Sequence, residues 1–235
     1  DLIKGIYEGG LKTWECSNDL VQYLHSQPLG YFNGKTVLEL GCGSALPSLY
    51  LLSKITCNGN GDGDGKGPKL IVMQDFNKEV IEMVTMPNAL ANTSEHLESG
   101  SSTLSAEELA SWKSSTSNIV NSRCKFFSGD WARLNTLLNS ASSSSGSEDG
   151  YDVILTSETI YELSSQQSLY SLIKATLSRK PTSVALVAAK SIYFGLSGSM
   201  FNFRQMVEAD GQMNIRVVRM IDAYVKREIV ELTWR

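Results

Sequence analysis

The sequence predicts an α/β fold in which a mostly parallel, seven-stranded sheet carries helices on both faces and ends in an antiparallel hairpin. Apolar runs alternate with helical or polar segments through most of the 235 residues, which is typical of a doubly wound parallel sheet. The last two apolar runs are joined by only a short link, so they should pair antiparallel at one edge. A chain with 42% hydrophobic residues can bury one large core, so we expect a single domain over 1–235.

The elements follow from local patterns. Apolar residues at helical spacing predict a helix over 14–27, within an N-terminal helical cap at 1–33 that covers a sheet edge. Strand 36–40, helix 46–53 and strand 70–73 come next, followed by a helix that Asn77 should cap and Pro87 should end or kink. The remaining predicted strands are 124–127, 152–156, 183–189, 214–221 and 227–234, with helices at 166–177 and 200–209.

Three low-complexity stretches, near 57–68, 93–121 and 141–150, should form surface loops, the second with a helical island at 106–112. The glycine- and aspartate-rich run at 58–67 resembles a calcium loop, but it lacks the closing acid of an EF-hand. Four scattered cysteines and two histidines give no zinc spacing. We therefore expect no metal, reduced thiols and an intracellular protein.

The composition also bounds the partners. A net charge of -4 argues against a broadly basic surface for nucleic acid, although a local patch is present at Arg216, Arg219, Lys226 and Arg227. The alternative is that this patch is the solvated face of a hairpin. No apolar run is long enough to span a bilayer, and none resembles a secretory signal.

The strand at 36–40 runs directly into the turn Gly41-Cys42-Gly43-Ser44, with Glu39 two residues before the first glycine. Gly41 and Gly43 have no side chain to keep a ligand from the backbone, and the following helix directs its N–H groups at the same place. Leu46 stands where the dinucleotide fingerprint needs a small residue. The E-x-G-x-G pattern therefore favours S-adenosylmethionine over NAD, with a plain turn as the alternative.

Ligands of such sheets bind at the carboxyl ends of the strands. Asp75 can accept both ribose hydroxyls there, or it can cap the next helix. Asp130 can accept from an adenine amino group while Trp131 stacks on the ring, or the two can be a cap beside a core tryptophan. Trp14 either closes the pocket or fills the core. Further polar or glycine candidates at strand ends are Gly129, Ser157, Glu158 and Tyr161.

Five colinear blocks, at 8–16, 37–44, 126–131, 155–161 and 189–195, together resemble the protein-histidine methyltransferase family. This family belongs to the Rossmann-like, seven-strand methyltransferases that use S-adenosylmethionine and release S-adenosylhomocysteine. Its characterised members methylate the tau nitrogen of a histidine in a large-subunit ribosomal protein. The resemblance implies the same activity here. We expect a monomeric protein located in the cytoplasm and in the nucleus, including the nucleolus.

By position, the resemblance also implies the site residues. The cofactor pocket would be lined, besides Glu39 and Gly43 of the glycine motif, by Thr13, Trp14, Glu15, Cys16, Ser17, Gly41, Gln74, Asp75, Phe76, Gly129, Asp130, Trp131 and Ser157. Lys190, Tyr193 and Phe194 would shape the groove for the protein substrate. Ala45 departs from the family pattern, since relatives often have glycine there, and Ser197 interrupts a glycine run.

An imidazole is already mostly neutral at pH 7, so a histidine methyltransferase needs control of the tautomer more than a strong base. We hypothesise that Glu158, assisted by Tyr161, accepts from the pi nitrogen and leaves the tau nitrogen bare. The alternative for Glu158 is a strand-end acid that accepts from backbone amides. Two other functions stay open, namely a protein-lysine methyltransferase of the related family and a non-catalytic, methyltransferase-like assembly factor.

Overall fold

The computed structural model describes residues 9–56, 67–93, 119–142 and 150–235. Its strands are β1 Thr36–Leu40, β2 Leu70–Asp75, β3 Cys124–Ser128, β4 Val153–Ser157, β5 Val184–Lys190, β6 Met213–Ile221 and β7 Arg227–Trp234. They form one seven-stranded sheet in the order β3-β2-β1-β4-β5-β7-β6. Strands β1 to β5 pair in parallel, and β7 runs antiparallel to both β5 and β6. The predicted fold class is confirmed.

Helices cover both faces of this sheet. They are α1 Glu15–His25, α2 Leu46–Thr56, α3 Lys78–Val80, α4 Met86–Ala91, α5 Trp131–Ser142, α6 Leu163–Thr176 and α7 Met200–Asp210. Leu20 of α1 and Leu52 of α2 belong to the core on one face, whereas Tyr170 of α6 and Phe203 of α7 belong to the core on the other. Because both faces are buried, all five residues of the central strand β4 are buried, and its first three are apolar.

The segment between β2 and α4 differs from its prediction. Asn77 precedes α3, but its side chain makes no capping bond, and Asn77 Nδ2 instead donates to the Gly9 carbonyl at 2.9 Å. Asn77 is thus the N-cap residue of α3, as predicted, although its side chain bonds elsewhere. The helical segment does not end at Pro87, since that residue lies in the first turn of α4, which continues the segment without a break. The geometry changes earlier, at a π-helical stretch over Ile81–Thr85.

Several predicted loop features fall outside the described residues, including the helical island at 106–112 and the glycine-rich run up to residue 66. Residues 119–123, which we expected partly as loop, are helical. Within the described ranges, no helix has the length and apolarity needed to cross a membrane.

The hairpin of β6 and β7 uses its basic residues within the protein. Arg216 Nε donates to Glu231 Oε1 at 2.7 Å, Arg227 pairs with Asp19 of α1, and Arg219 donates to Gln22 at 3.3 Å. These contacts support the alternative interpretation, in which the patch is a face of the hairpin.

The strand order places the site. The chain winds from β1 through β2 to β3 on one side and from β4 to β5 on the other, so the order reverses between the adjacent strands β1 and β4. In open α/β sheets, ligands bind in the crevice outside the carboxyl ends at such a reversal. The loops that follow β1 and β4 hold the two groups of residues considered next.

Candidate functional site

A cavity of about 960 Å³ opens at the carboxyl ends of the strands. Sixteen of the twenty predicted site residues line it: Thr13, Trp14, Ser17, Gly41, Gly43, Asp75, Phe76, Gly129, Asp130, Trp131, Ser157, Glu158, Tyr161, Lys190, Tyr193 and Phe194. The other four, Glu15, Cys16, Glu39 and Gln74, are not among the lining residues. Most of the residues predicted from the sequence thus lie around one cavity, whereas these four lie behind its wall or beside it.

The glycine loop after β1 forms the floor of the cavity, and its backbone needs glycine. Gly41 has φ +62° and Gly43 has φ +52°, a region that side chains disfavour. A Cβ on Gly41 would lie 2.6 Å from Thr159 Cγ2, and one on Gly43 would lie 3.2 Å from the Gly10 backbone. Ala45 also has a positive φ, of 58°, a conformation that glycine adopts more readily.

Asp75, at the end of β2, anchors this loop. Its Oδ2 accepts from the Gly43 N–H at 2.9 Å, and its Oδ1 accepts from the Asn77 N–H at 3.0 Å. Burial raises the pKa of Asp75, against the lowering effect of these N–H donors. Asn77 Nδ2 also donates to Asp75 Oδ1, at 3.2 Å. Because each carboxylate oxygen can accept two bonds, only Oδ2 can still accept one, from a single ligand hydroxyl in the cavity that Asp75 lines.

Trp131 and Asp130 form the wall that follows β3. The Trp131 indole N–H donates to Gln74 Oε1 at 2.8 Å, and Gln74 Nε2 donates to the Gly129 carbonyl at 2.8 Å. Gln74 therefore lies behind the indole and fixes its orientation. Asp130 Oδ1 accepts from the N–H groups of Ala132 and Arg133, so Asp130 caps α5, as its alternative interpretation held, while its exposed side chain also lines the cavity.

Glu39 lies beneath the loop. It is buried, its Oε2 accepts from the Ser48 N–H at 2.9 Å near the start of α2, and burial raises its pKa to about 7. Glu39 thus joins β1 to the helix whose N-terminus points at the cavity. Its contribution to ligand binding would be indirect.

The raised pKa of Glu39 predicts a pH-dependent stability. Burial disfavours the ionised form of Glu39 in the folded protein. The resulting contribution of Glu39 to folding stability is therefore complete below its ordinary pKa of 4.5 and is lost as the pH rises through about 7. We expect the unfolding free energy of Glu39→Gln, relative to wild type, to increase by on the order of 3 kcal/mol between pH 4.5 and 8. Urea unfolding of both proteins across this pH range measures the difference in their unfolding free energies. A difference that does not change with pH would contradict the prediction.

Glu158, directly after β4, is held by side chains from other parts of the chain. Its side chain is 8% exposed, its Oε2 accepts from the Tyr193 hydroxyl at 2.7 Å, and its Oε1 lies 3.5 Å from Lys190 Nζ. That oxygen is buried and accepts no hydrogen bond from the described residues. Glu158 also has φ +58°, a conformation that costs a non-glycine residue roughly 1 kcal/mol or more and is common at functional sites.

Tyr193, which the sequence placed in the substrate groove, is the phenol that donates to Glu158. Burial and the charge of Glu158 raise the pKa of Tyr193, so its hydroxyl stays a donor. Tyr161, predicted as the assistant of Glu158, instead packs edge-on against the Tyr193 ring with centroids 6.5 Å apart. Cys16 lies below the carboxylate, and burial together with the Glu158 charge raises the pKa of its thiol.

The N-terminal segment closes the cavity from above. Thr13 Oγ1 and Ser44 Oγ are 2.6 Å apart, and Ser17 Oγ and Ser157 Oγ are 2.8 Å apart. Trp14 is 40% exposed and lies under Lys190, whose Nζ is 4.7 Å from the ring centroid. Trp14 therefore belongs to the pocket and not to the core. Lys190 Nζ also lies 3.5 Å from Glu15 Oε2, so Glu15 acts on the cavity through Lys190.

An apolar rim borders the side of the cavity that Glu158 faces. It consists of Ile192, Phe194 and Leu196 after β5, and Phe194 is 83% exposed. Gly198 joins this loop to the one after β4, since its N–H donates to the Tyr161 carbonyl at 2.9 Å. A Cβ on Gly198 would lie 2.2 Å from the Ile160 carbonyl oxygen, so only glycine fits there. Among the described residues, no cluster of three or more His, Cys, Asp or Glu could hold a metal.

The fold and this site define a class, the Rossmann-like methyltransferases with seven strands. Magnesium protoporphyrin IX methyltransferase from Synechocystis, solved with bound SAM, matches with a TM-score of 0.54 and 12% identity over 93% of this chain and 78% of its own. An O-methyltransferase family protein from Burkholderia thailandensis gives 0.55 and 9% identity over 93% of this chain and 56% of its own. At such identities the likeness concerns the fold.

The sequence relatives are more specific. Histidine protein methyltransferase 1 homologs are 36% identical over 235 residues in Bos taurus and 34% identical in Dictyostelium discoideum, covering 100% and 99% of this chain. Histidine protein methyltransferase 1 of Schizosaccharomyces pombe is 35% identical over 98% of it. Over nearly its whole length, this chain is therefore similar to curated histidine protein methyltransferases. It spans 58%, 60% and 66% of the length of these curated relatives, and no family model matches it.

Proposed function

We propose that this chain is an S-adenosylmethionine-dependent protein-histidine N-methyltransferase that acts on the tau nitrogen. The observation that carries the proposal is the buried Glu158 carboxylate, fixed by Tyr193, in the same cavity as the glycine loop. One end of the cavity thus suits a nucleoside cofactor, and the other suits a ring that must be oriented.

The residues at the first end fit S-adenosylmethionine. Gly41 and Gly43 line the cavity with backbone alone, and Asp75 Oδ2 has one acceptor position left for a ribose hydroxyl. The fixed indole of Trp131 offers an aromatic face beside the exposed Asp130. When bound, this cofactor supplies a methyl group on a positively charged sulfur, which a nitrogen lone pair can attack. The protein then has to position the acceptor and exclude water.

Glu158 would position the acceptor. Its Oε2 already accepts from Tyr193, and its Oε1 has no hydrogen-bond donor among the described residues but is buried beside Lys190, so it could accept from the N–H of a pi nitrogen once the side chain turns toward the cavity that Glu158 lines. This bond selects the tautomer whose tau nitrogen has a free lone pair. As the ring gains positive charge, the carboxylate stabilises it and can take its proton.

The charges in the site favour histidine over the lysine alternative. Lys190 Nζ lies 3.5 Å from Glu158 Oε1, so the carboxylate already faces one cation. A substrate ammonium would add a second positive charge beside Lys190, whereas a neutral imidazole would not. The positive φ and the unsatisfied oxygen of Glu158 favour catalysis over a purely structural role in an assembly factor.

The acceptor that we propose is a histidine of a large-subunit ribosomal protein, which a monomer would meet in the cytoplasm or nucleus. The names of the relatives support a protein-histidine acceptor. The pairing of hairpin arginines with acids supports a protein partner over direct nucleic-acid binding.

The protein substrate would dock on the rim formed by Ile192, Phe194 and Leu196. We expect Phe194→Ala to raise the KM for the protein substrate about 10-fold, because a large exposed aromatic residue at a docking surface is a frequent hot spot. The dissociation constant for S-adenosylhomocysteine should stay unchanged. Phe201→Ala on α7 is the matched control, since Phe201 is 65% exposed and does not line the cavity. Equal KM values for both variants would contradict this docking site.

Two measurements test the proposed function together. Calorimetry should show binding of S-adenosylmethionine, and incubation with extract from cells that lack this enzyme should transfer tritiated methyl to one protein, with the residue identified by mass spectrometry. Label on lysine would support the lysine alternative. Binding without transfer would support the assembly factor, and absence of binding by folded protein would refute both enzymatic functions.

A further inference from the structure

The π-helical stretch Ile81–Thr85 brings one hydroxyl against the glycine loop. The Met86 N–H bonds to the Ile81 carbonyl five residues earlier, so this turn holds an extra residue and rotates the side chains that follow. Thr85, at its end, is 0% exposed. Its side chain faces the loop after β1 and does not take part in the chemistry described above.

Thr85 Oγ1 donates to the Gly43 carbonyl at 2.7 Å, and its other acceptor, the Val80 carbonyl, lies at 3.3 Å. Since a hydroxyl has one hydrogen, the shorter bond to Gly43 dominates. Asn88 Nδ2, in α4, donates to the next loop carbonyl, that of Ser44, at 3.2 Å. The segment after β2 therefore holds two consecutive carbonyls of the loop.

Gly43 is fixed on both sides, because its N–H bonds to Asp75 Oδ2 and its carbonyl bonds to Thr85. In a planar trans peptide, the carbonyl and the following N–H point in opposite directions. The Gly43 carbonyl points down at Thr85, so the Ser44 N–H points away from Thr85. Ser44 itself lines the cavity.

We propose that Thr85 is a positioning residue for cofactor binding: it holds the Gly43 carbonyl inward and thereby presents the Ser44 N–H to an acceptor atom of the bound cofactor. The inference rests on the proposed function, because it assigns the π-helical turn a part in the affinity for S-adenosylmethionine. It assigns a role in cofactor binding to a residue outside the cavity, since Thr85 does not itself line the cavity.

The test compares Thr85→Val with Thr85→Ser and Thr93→Val. Valine keeps the shape of threonine but donates no bond, so we expect about 10-fold weaker binding of S-adenosylhomocysteine and a similar rise in the KM for S-adenosylmethionine, with kcat within twofold. Thr85→Ser keeps the hydroxyl and should bind like wild type. Thr93 is the matched control, because it is 2% exposed and its Oγ1 donates to the Leu90 carbonyl at 2.9 Å, away from the loop.

Thr93→Val should lower the melting temperature without changing the affinity. Provided that the wild-type protein binds S-adenosylhomocysteine, two results would overturn the inference. One is wild-type affinity in Thr85→Val, and the other is a loss of affinity in Thr93→Val equal to that in Thr85→Val. If Thr85→Val does not fold, Thr85→Cys replaces it, because a thiol is a weak donor. We expect about threefold weaker binding for Thr85→Cys, and unchanged binding would also overturn the inference. Loss of binding in wild type would instead refute the proposed function.

Discussion

Replacing Glu158 by glutamine is expected to lower kcat at least 100-fold while the dissociation constant for S-adenosylhomocysteine stays within about twofold of wild type. Glutamine has the same shape, so Tyr193 can still contact one end of the side chain. The negative charge, however, is gone. A methylated imidazole carries a positive charge, and a preformed carboxylate beside it stabilises the transition state, which an amide cannot do.

The measurement is single-turnover transfer to the histidine substrate, with binding followed separately by calorimetry. Glu208→Gln is the control for the chemical change, since Glu208 is exposed on α7 and lies outside the residues that line the cavity. A Glu158→Gln variant that transfers methyl at the wild-type rate would show that Glu158 is structural. Weakened cofactor binding with normal transfer at saturation would place Glu158 in the cofactor site instead.

Much of this site could be predicted because its parts follow the strands. Strand β1 was predicted at 36–40 and is observed there, since its apolar residues are typical of a buried strand and the glycines mark its end. Parallel strands bring their carboxyl ends to one edge of the sheet. The polar residues after each strand, such as Asp75, Trp131 and Glu158, could therefore be assigned to one cavity from sequence order alone.

The contacts that orient these residues could not be predicted. Tyr193 lies 35 positions from Glu158, and Trp131 lies 57 positions from Gln74, whereas a periodic pattern reports only on neighbours within a few turns. The mechanistic hypothesis from the sequence made Tyr161 the assistant of Glu158. Sequence distance alone does not reveal that Tyr193, on the loop after β5, reaches the same carboxylate.

The π-helical turn was missed for a different reason. One extra residue in a turn leaves apolar residues such as Val80, Ile81 and Val84 near helical spacing, so the pattern still favours a regular helix. A clue was present in Thr85, a polar residue four positions after the apolar Ile81, where a helical pattern favours an apolar side chain. Its burial has a physical explanation only once the Gly43 carbonyl is placed against it.

Replacing Asp75 by asparagine should weaken S-adenosylhomocysteine binding at least 100-fold, which is about 2.8 kcal/mol. The carboxylate accepts from the Gly43 N–H with one oxygen and from the Asn77 N–H with the other. An asparagine side chain has one acceptor end and one donor end, so one of these N–H groups must face another donor. The glycine loop then loses an anchor, and the cofactor loses a charged acceptor for its ribose.

Asp152→Asn separates this effect from general destabilisation. Asp152 directly precedes β4, at the amino ends of the parallel strands. Its Oδ2 accepts from the Thr36 N–H at 2.9 Å and from the Thr36 hydroxyl at 3.0 Å. Both variants lose charge-assisted bonds to the backbone, so both should melt at a lower temperature. Only Asp75→Asn should lose affinity in calorimetry, because only Asp75 holds the loop that lies against the cofactor. Equal affinities in the two variants would mean that the ribose is held elsewhere and that Asp75 serves the fold.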